Sequence, residues 1–299
     1  MSATDTRKRL WIAFGITFVV LIAQAVGAFL TGSLALLTDT AHMLTDVSGL
    51  AMALVAATLI LRPTSSKRTW GFRRAEVIAA FAQAALLLVV GIYSAIEGVR
   101  RLFDPPDVPG TELLVFGVIG LAANVVAISV LASGRGSSLN MRAAFLEVIN
   151  DALGSVGVIV AGIVIATTGF VRADPIAGLV IAALILPRAV TLIRESVGVL
   201  MEFTPAGLDL DDVRRHVLEL EHVIDVHDLH ASTVGTGLPT LTGHIVVRDE
   251  CFADGHALDV LGEVKDCVAE HFDIAIEHAT FQIETERIRA MESDDITHP

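Results

Sequence analysis

Long apolar segments alternate with short polar connections over the first two thirds of the chain. Each segment is long enough to cross about 30 Å of hydrocarbon as a helix. Backbone amides cannot bond to water inside lipid, so we expect helices rather than strands. The pattern predicts a transmembrane domain over residues 1–201 with six helices, at 10–30, 34–61, 76–99, 111–132, 143–168 and 174–200.

The pattern changes after residue 201, where shorter segments of two kinds follow one another. LDLDDVRRHVLELE and DGHALDVLGEVKDCVAEHF are typical of helices, whereas VIDVHDLHAST, TLTGHIVVRDE and IAIEHATFQIETE are typical of strands. The order α-β-β-α-β predicts a small α+β domain over residues 202–299. A domain of this size often depends on a partner, so we expect it to dimerise.

Composition separates the same two regions. The whole chain is 53% hydrophobic with a mean hydropathy of +0.66, which is rare in a soluble protein. Residues 202–299 hold 6 Lys and Arg against 22 Asp and Glu, together with nine of the ten histidines. This acidity argues against nucleic acid as a partner, because nucleic acid selects basic surfaces. It suits a surface that binds cations, although acidity also serves solubility.

Basic residues predict the orientation in the membrane. Cytoplasmic connections are enriched in Lys and Arg. Alternate connections carry ten such residues here, whereas those on the other side carry three. We therefore expect an integral protein of the inner (cytoplasmic) membrane with both termini in the cytoplasm. The ten residues are Arg7, Lys8, Arg9, Arg62, Lys67, Arg68, Arg73, Arg74, Arg135 and Arg142.

Two of the apolar segments contain ionisable residues at helical spacing. Asp39, His42 and Asp46 follow the spacing i, i+3 and i+7 in the second segment. Glu147 and Asp151 are four residues apart in the fifth. Each set therefore shares one face of its helix. A charged side chain at mid-bilayer costs about 3 kcal/mol, so a bound divalent cation or protons must offset that cost.

The predicted ligands of the cation are His42, Asp46, Glu147 and Asp151. They offer one imidazole nitrogen and three carboxylates, which suits a tetrahedral Zn²⁺ site. Asp39 has two interpretations. It either orients the His42 ring through a hydrogen bond, or attracts ions at the outer mouth.

The same ligands predict coupling to protons. Metal binding requires ionised carboxylates and a neutral imidazole. Protons arriving from outside would compete for these groups and release the ion. The emptied, protonated site then avoids bare charge in lipid. We expect the metal ion to be exchanged for protons (antiport), with His42 titrating near neutral pH.

Several stretches of the chain resemble one family of transporters. They are SLALLTDTAHMLTDVSGLAMAL, RTWGFRRAEVIAA, LEVINDALGSVGVIVAGIV, DPIAGLVIAALIL, VHDLHAS and IEHATFQIE, which occur in this order across nearly the whole chain. They resemble the cation diffusion facilitators. The resemblance implies a homodimeric exporter with six membrane helices and a cytoplasmic ferredoxin-like domain. It also implies that Zn²⁺ or a related ion binds between the second and fifth helices.

Glu147 departs from the pattern of the zinc-transporting relatives, which usually place a histidine at this position. Three ionised carboxylates around a dication would leave the site negative. Either one carboxylate keeps a proton, or the site favours harder ions such as Mn²⁺. Zn²⁺ is the first expectation, and Mn²⁺, Co²⁺ or Cd²⁺ are the alternative substrates.

The resemblance further implies a regulatory metal site in the cytoplasmic domain. The residues it implicates are His230, His244, His256, His278 and Glu284. The histidines expected to be ordinary surface residues are His216, His222, His227, His271 and His298.

Two other function classes would also use metal ligands. An intramembrane zinc protease would carry HExxH, which the sequence lacks. A non-transporting membrane metal sensor would use the histidine-rich tail, but it needs no intramembrane ligands. We therefore predict a transporter and not an enzyme.

Overall fold

The computed structural model describes residues 3–60, 62–132, 139–235, 237–272, 274–276 and 278–291. At some helical positions only the backbone is described, and these positions include His42, Asp46 and the range 139–147. His298 and Arg135 lie outside the described residues.

Each of the apolar segments forms a helix, as the pattern predicts. The helices are α1 (Ala3–Thr31), α2 (Leu34–Ile60), α3 (Arg74–Phe103), α4 (Gly110–Ala132), α5 (Leu139–Thr168) and α6 (Ala173–Leu200). Within the described residues, four stretches are long and apolar enough to cross a membrane: 74–103, 110–129, 151–168 and 173–200. Apolar side chains on these helices, such as Val89, Ile96 and Leu184, are 65%, 66% and 65% exposed, as expected for a surface that faces lipid.

Helices α4 and α5 pack closely in opposite directions. A Cβ atom at Gly162 would lie 2.9 Å from the backbone nitrogen of Leu114 and 3.1 Å from the carbonyl oxygen of Gly110. Further along, the Asn124 amide donates to Ser155 Oγ at 3.4 Å. Small residues and interhelical hydrogen bonds of this kind are typical of helices that associate in lipid.

Contacts divide the chain into two compact units. The first comprises residues 1–54 and 79–193, and the second comprises residues 55–78 and 194–299. The division falls within α2, α3 and α6, so one end of each of these helices belongs to the unit that contains the small sheet.

The second unit contains a three-stranded sheet with helices on it. Its elements are α7 (Leu210–Leu218), β1 (Val223–Gly235), β2 (Leu238–Val247), α8 (Glu250–Asp254), α9 (His256–Glu270), β3 (His278–Glu284) and α10 (Glu286–Arg289). The strand order is β1-β2-β3, with β1 antiparallel and β3 parallel to β2. The predicted order α-β-β-α-β is confirmed, and the short helices α8 and α10 are additions to it.

The apolar stripes of α7 and α9 form the core of this unit with the sheet. Val213 of α7, Ile245 of β2 and Val264 of α9 are each fully buried in one cluster. Asp209 begins α7, because its side chain accepts a hydrogen bond from the backbone nitrogen of Asp211. Gly255 separates α8 from α9 with a φ of +95°, which other residues rarely adopt.

Candidate metal sites in the helices and in the sheet domain

The carboxylate of Asp174 holds the first turn of α2 against the start of α6. It accepts hydrogen bonds from the backbone nitrogens of Leu34, at 2.7 Å, and Ala35, at 3.2 Å, and from Ser33 Oγ. Asp174 is fully buried. The first N–H groups of a helix lack partners within the helix and favour a negative charge. Asp174 therefore fixes one end of the helix that carries two predicted metal ligands.

This junction also gives the relative direction of α2 and α5. Helix α5 ends at Thr168, and the short connection 169–172 leads directly to the start of α6. Because the start of α6 contacts the start of α2, the end of α5 lies on the same side as the start of α2. The two helices therefore run antiparallel.

Asp39 lies where α1, α2 and α5 meet, and it is 1% exposed. Gln24 Nε2 donates to Asp39 Oδ2 at 2.9 Å. The other oxygen, Oδ1, lies against Gly154 of α5, so closely that a Cβ atom at Gly154 would overlap it. This burial fits a residue enclosed between the helices better than one exposed at the outer entrance to the metal site. The contact predicted between Asp39 and the His42 side chain concerns a side chain outside the described residues, so it stays a prediction.

The contact between Asp39 and Gly154 sets the register of α2 against α5. From Asp39, positions 42 and 46 lie three and seven residues further along α2. From Gly154, positions 151 and 147 lie three and seven residues back along α5. Because the helices are antiparallel, these steps run in the same direction. Position 42 is therefore level with 151, about 4.5 Å from the contact, and position 46 is level with 147, about 10.5 Å from it.

Asp151 is the member of this set whose side chain the structure describes. It is 3% exposed. The side chains of His42, Asp46 and Glu147 lie outside the described residues, although their backbones are helical. The assignment of the four as ligands of one ion therefore rests on the matched spacing and on the donor types, and it stays a prediction.

A second group of ligand-type side chains lies in the sheet and its helices from α7 to α10, here called the sheet domain. His227, His244 and Glu284 bring one ligand atom each to within 4.8 Å of one another, the one such group found among the described residues. His227 Nε2 is 2.7 Å from Glu284 Oε1, and His244 Nδ1 is 3.8 Å from Glu284 Oε2. Two imidazoles and one carboxylate match a zinc site that keeps its fourth position open.

Strand pairing explains why these three side chains meet. His227 of β1 lies directly opposite His244 of β2, and His244 lies opposite Gln282 of β3. Glu284 is two residues beyond Gln282, so it projects from the same face of the strand. Gln282 Nε2 also donates to Glu284 Oε2 at 2.9 Å, which orients the carboxylate.

The cluster includes His227, which the sequence predicts to be an ordinary surface residue. His227 is 3% exposed, so the expectation of an ordinary surface histidine is wrong. The physical reason is that both faces of the sheet are covered at this point: Val226 lies in the core, and His227 is enclosed on the other face with Glu284 and His244. The alternation of buried and exposed positions predicts burial only where one face of a sheet meets water.

The other three predicted tail histidines lie outside the cluster. His230 Nε2 bonds to Asp228 Oδ1 at 2.9 Å, and Asp228 Oδ2 is 3.9 Å from His244 Nε2, so His230 is a neighbour of the site. His256 bonds to Asp254 at 2.9 Å. The exposed His278 lies edge-on against Trp70, with ring centroids 4.8 Å apart.

Comparison with known proteins shows which family the chain belongs to. A family model described as the cation efflux transmembrane domain matches residues 10–201. The chain belongs to the cation diffusion facilitator family. It is therefore a membrane cation efflux protein and not an enzyme.

Relatives match over almost their whole length. The metal cation efflux system protein CzcD of Cupriavidus metallidurans is 42% identical over 277 residues, which cover 93% of this chain and 86% of CzcD. The cadmium, cobalt and zinc/H(+)-K(+) antiporter of Bacillus subtilis is 37% identical over 282 residues, covering 94% and 89% of the two chains. The zinc transporter ZitB of Escherichia coli is 38% identical over 282 residues, covering 94% and 88%.

Proposed function

We propose that this protein exports Zn²⁺ from the cytoplasm in exchange for protons. The observation that carries the proposal is the register between α2 and α5. It brings two donor positions of each helix to matching levels beside a buried carboxylate. In the proposed site the transported ion is held by His42, Asp46, Glu147 and Asp151.

Proton coupling follows from the chemistry of these donors. Each must lose a proton to bind the ion, and each regains one when the ion leaves. Charge in an apolar interior is costly, so the empty site reorients in its protonated form. The ion therefore travels outward and protons travel inward.

Zn²⁺ is the proposed main substrate, and Cd²⁺, Co²⁺ and Mn²⁺ are alternatives. The names of the relatives support Zn²⁺, Cd²⁺ and Co²⁺, since two name zinc and one of these adds cadmium and cobalt. Glu147 adds a carboxylate, and carboxylate-rich sites suit harder ions such as Mn²⁺.

The membrane arrangement belongs to the same proposal. All six helices cross the inner (cytoplasmic) membrane, and both termini lie in the cytoplasm. Residues 1–201 form the membrane domain, and residues 202–299 form a cytoplasmic domain through which two copies dimerise. The cytoplasmic domain binds a regulatory metal ion through His227, His244 and Glu284, with His230 beside the site.

The experiment that tests the transport proposal is metal-driven proton flux in proteoliposomes. Purified protein is reconstituted with a pH dye inside, and Zn²⁺, Cd²⁺, Co²⁺ or Mn²⁺ is added. We expect Asp46→Ala and Asp151→Ala to abolish flux, while Glu112→Gln, at an exposed position of α4, leaves it unchanged. Flux that persists undiminished in both alanine variants would refute the proposed site.

A second variant tests the role of Glu147 in ion choice. Glu147→His replaces a carboxylate by an imidazole and removes one negative charge. We expect the preference for Zn²⁺ over Mn²⁺ to increase by about tenfold, because imidazole suits Zn²⁺ better than Mn²⁺. An unchanged ranking of the ions would remove Glu147 from the ligand set.

A further inference from the structure

We propose that the side chains of Asp39 and Gln24, here called the spacer, set the separation and register of α2 and α5. Asp39 does so by packing against α5 at Gly154. Asp39 is then a positioning residue for the transport site and not a ligand of the ion. This inference rests on the proposed function, since it concerns the same site.

The two oxygens of Asp39 contact two different helices. Oδ2 accepts the hydrogen bond from Gln24 of α1, and Oδ1 lies against the backbone of α5 at Gly154. Asp39 and Gln24 are 1% and 0% exposed, so neither can swing into solvent. The side chain therefore spans the gap between α1 and α5 from its place on α2.

Gln24 packs against α4, close to the place where α4 meets α5. A Cβ atom at Gly120 of α4 would overlap Gln24 Nε2 and would lie 3.0 Å from Ser155 Oγ of α5. Ser155 also accepts the hydrogen bond from Asn124. The donor that orients Asp39 thus lies against α4, next to the hydrogen bond that joins α4 to α5.

The spacer lies one helical turn from a proposed ligand on each helix. Gly154 is three residues from Asp151, and Asp39 is three residues from His42. Any shift of α5 against α2 at this contact is transmitted to both levels of the site. Bonds of about 2.0–2.2 Å to Zn²⁺ tolerate little displacement. Residues that orient metal ligands typically change affinity by roughly 10–100-fold when they are replaced.

The hydrogen-bond partner of Asp39 allows a positioning role to be distinguished from a role as a metal ligand or proton carrier. Gln24 offers a neutral amide donor, and an asparagine at position 39 can accept the same hydrogen bond. A metal ligand or a proton carrier, in contrast, needs the carboxylate itself. The conservative amide substitution therefore distinguishes these roles.

The first test compares two glycines on one helix. Gly154→Ala puts a methyl group into the space occupied by Asp39 Oδ1, whereas Gly157→Ala would meet only Ile181 Cδ1, at 4.0 Å. We expect Gly154→Ala to raise the KM for Zn²⁺ flux by roughly tenfold or more and to shift preference toward the larger Cd²⁺. Gly157→Ala should match the wild type.

The second test exchanges donor and acceptor within the spacer. Asp39→Asn should keep KM within about threefold of wild type, and Gln24→Glu should raise it about tenfold, because two acceptors then face each other. The double variant Gln24→Glu, Asp39→Asn restores one donor and one acceptor with exchanged roles. We expect it to recover most of the loss caused by Gln24→Glu alone.

A spectroscopic measurement accompanies the kinetics. Co²⁺ reports its coordination through its visible absorption, which is intense when four ligands surround it tetrahedrally. The spectrum is recorded with His227→Ala and His244→Ala present, so that metal in the sheet domain does not contribute. We expect Gly154→Ala to weaken the tetrahedral bands and Gly157→Ala to preserve them.

Each outcome decides the inference separately from the transport proposal. If wild-type protein transports Zn²⁺ but Gly154→Ala behaves like Gly157→Ala, the spacer is refuted and the transport site stands. Loss of flux in Asp39→Asn as complete as in Asp46→Ala would make Asp39 a ligand or proton carrier and overturn its positioning role. Absence of flux in the wild type would refute the transport proposal itself.

Discussion

Buried carboxylates occur in both units of the molecule, but their partners differ. In the helical unit, Asp39 receives a hydrogen bond from an amide, and Asp174 receives its hydrogen bonds from two backbone N–H groups and a hydroxyl. In the sheet domain, Glu284 lies between His227 and His244.

This difference separates buried carboxylates that hold helices together from a buried carboxylate that lies beside metal-binding side chains. Amide, hydroxyl and N–H donors keep their protons at all physiological pH values, so Asp39 and Asp174 bind helices together. Imidazoles and carboxylates are donors that bind metal ions. The group around Glu284 therefore has the composition of a metal site. Experiments that replace each carboxylate by its amide or by alanine test this division directly.

The largest effect is expected at the helix junction. Asp174→Ala removes the acceptor for two buried backbone N–H groups and for Ser33. Each buried donor without a partner costs about 1–3 kcal/mol, so we expect the stability of the protein to fall by about 3 kcal/mol. Asp174→Asn should lose less, because its carbonyl oxygen still accepts. Thermal unfolding of the detergent-solubilised protein measures both changes.

A matched control lies in the connection before α4. Asp104 is exposed, so Asp104→Ala should leave the unfolding temperature unchanged. If Asp174→Ala unfolds at the same temperature as Asp104→Ala, the junction does not stabilise the helices. The structural role given to the Asp174 carboxylate would then be wrong.

Much of the helical unit could be predicted from the sequence, for a physical reason. A helix in lipid satisfies its own backbone, so a long apolar segment is sufficient evidence for one. The charged positions of α2 and α5 are recognisable because such residues are rare between apolar neighbours. The register between the helices could not be predicted, since it depends on contacts such as that of Asp39 with Gly154. These two residues lie far apart in the sequence, so no local pattern indicates that they meet.

The next effect concerns metal binding in the sheet domain. Glu284→Gln keeps the size of the side chain but removes its charge, and we expect Zn²⁺ affinity in this domain to fall by roughly 10–100-fold. At Asp39 the same type of substitution should have little effect, which makes the contrast between the units measurable. Isothermal titration with Zn²⁺ in the background Asp46→Ala, Asp151→Ala isolates the sheet domain. Equal affinity with and without the Glu284→Gln substitution would exclude this carboxylate as a ligand.

Two of the three candidate ligands in the sheet domain could be predicted. His244 and Glu284 follow from the resemblance to known transporters, whereas His227 does not. The sequence HDLH contains two histidines, His227 and His230, and the local pattern does not indicate which of them is a ligand. A bulge in β1 between them places both on one face of the sheet, opposite His244 and Thr242, and of the two only His227 is enclosed while His230 stays exposed. The bulged region includes Asp228 with a φ of +50°, a conformation that local sequence indicates only weakly.

The two histidines of this motif therefore give a matched pair of variants. His227→Ala should weaken Zn²⁺ binding by about tenfold or more, whereas His230→Ala should change it by less than about threefold. The same titration measures both. The reverse order would mean that the exposed histidine, through Asp228, binds the ion and that His227 serves only the core.

The smallest effect is expected at a histidine that bonds to an exposed carboxylate. The hydrogen bond that the His256 ring donates to the Asp254 carboxylate raises the pKa of His256 above its ordinary value, with a further contribution from the negative charge of Asp254. A raised pKa in the folded state stabilises the protein at pH values below the ordinary histidine pKa. This contribution is lost as the pH rises through the raised value.

Asp254→Asn should lower the pKa of His256 toward its ordinary value, which histidine-selective NMR titration of the full chain measures. Because both side chains are exposed, the unfolding temperature should barely change, in contrast to Asp174→Ala. A pKa of His256 that is the same with and without Asp254 would show that this pair does not interact in solution.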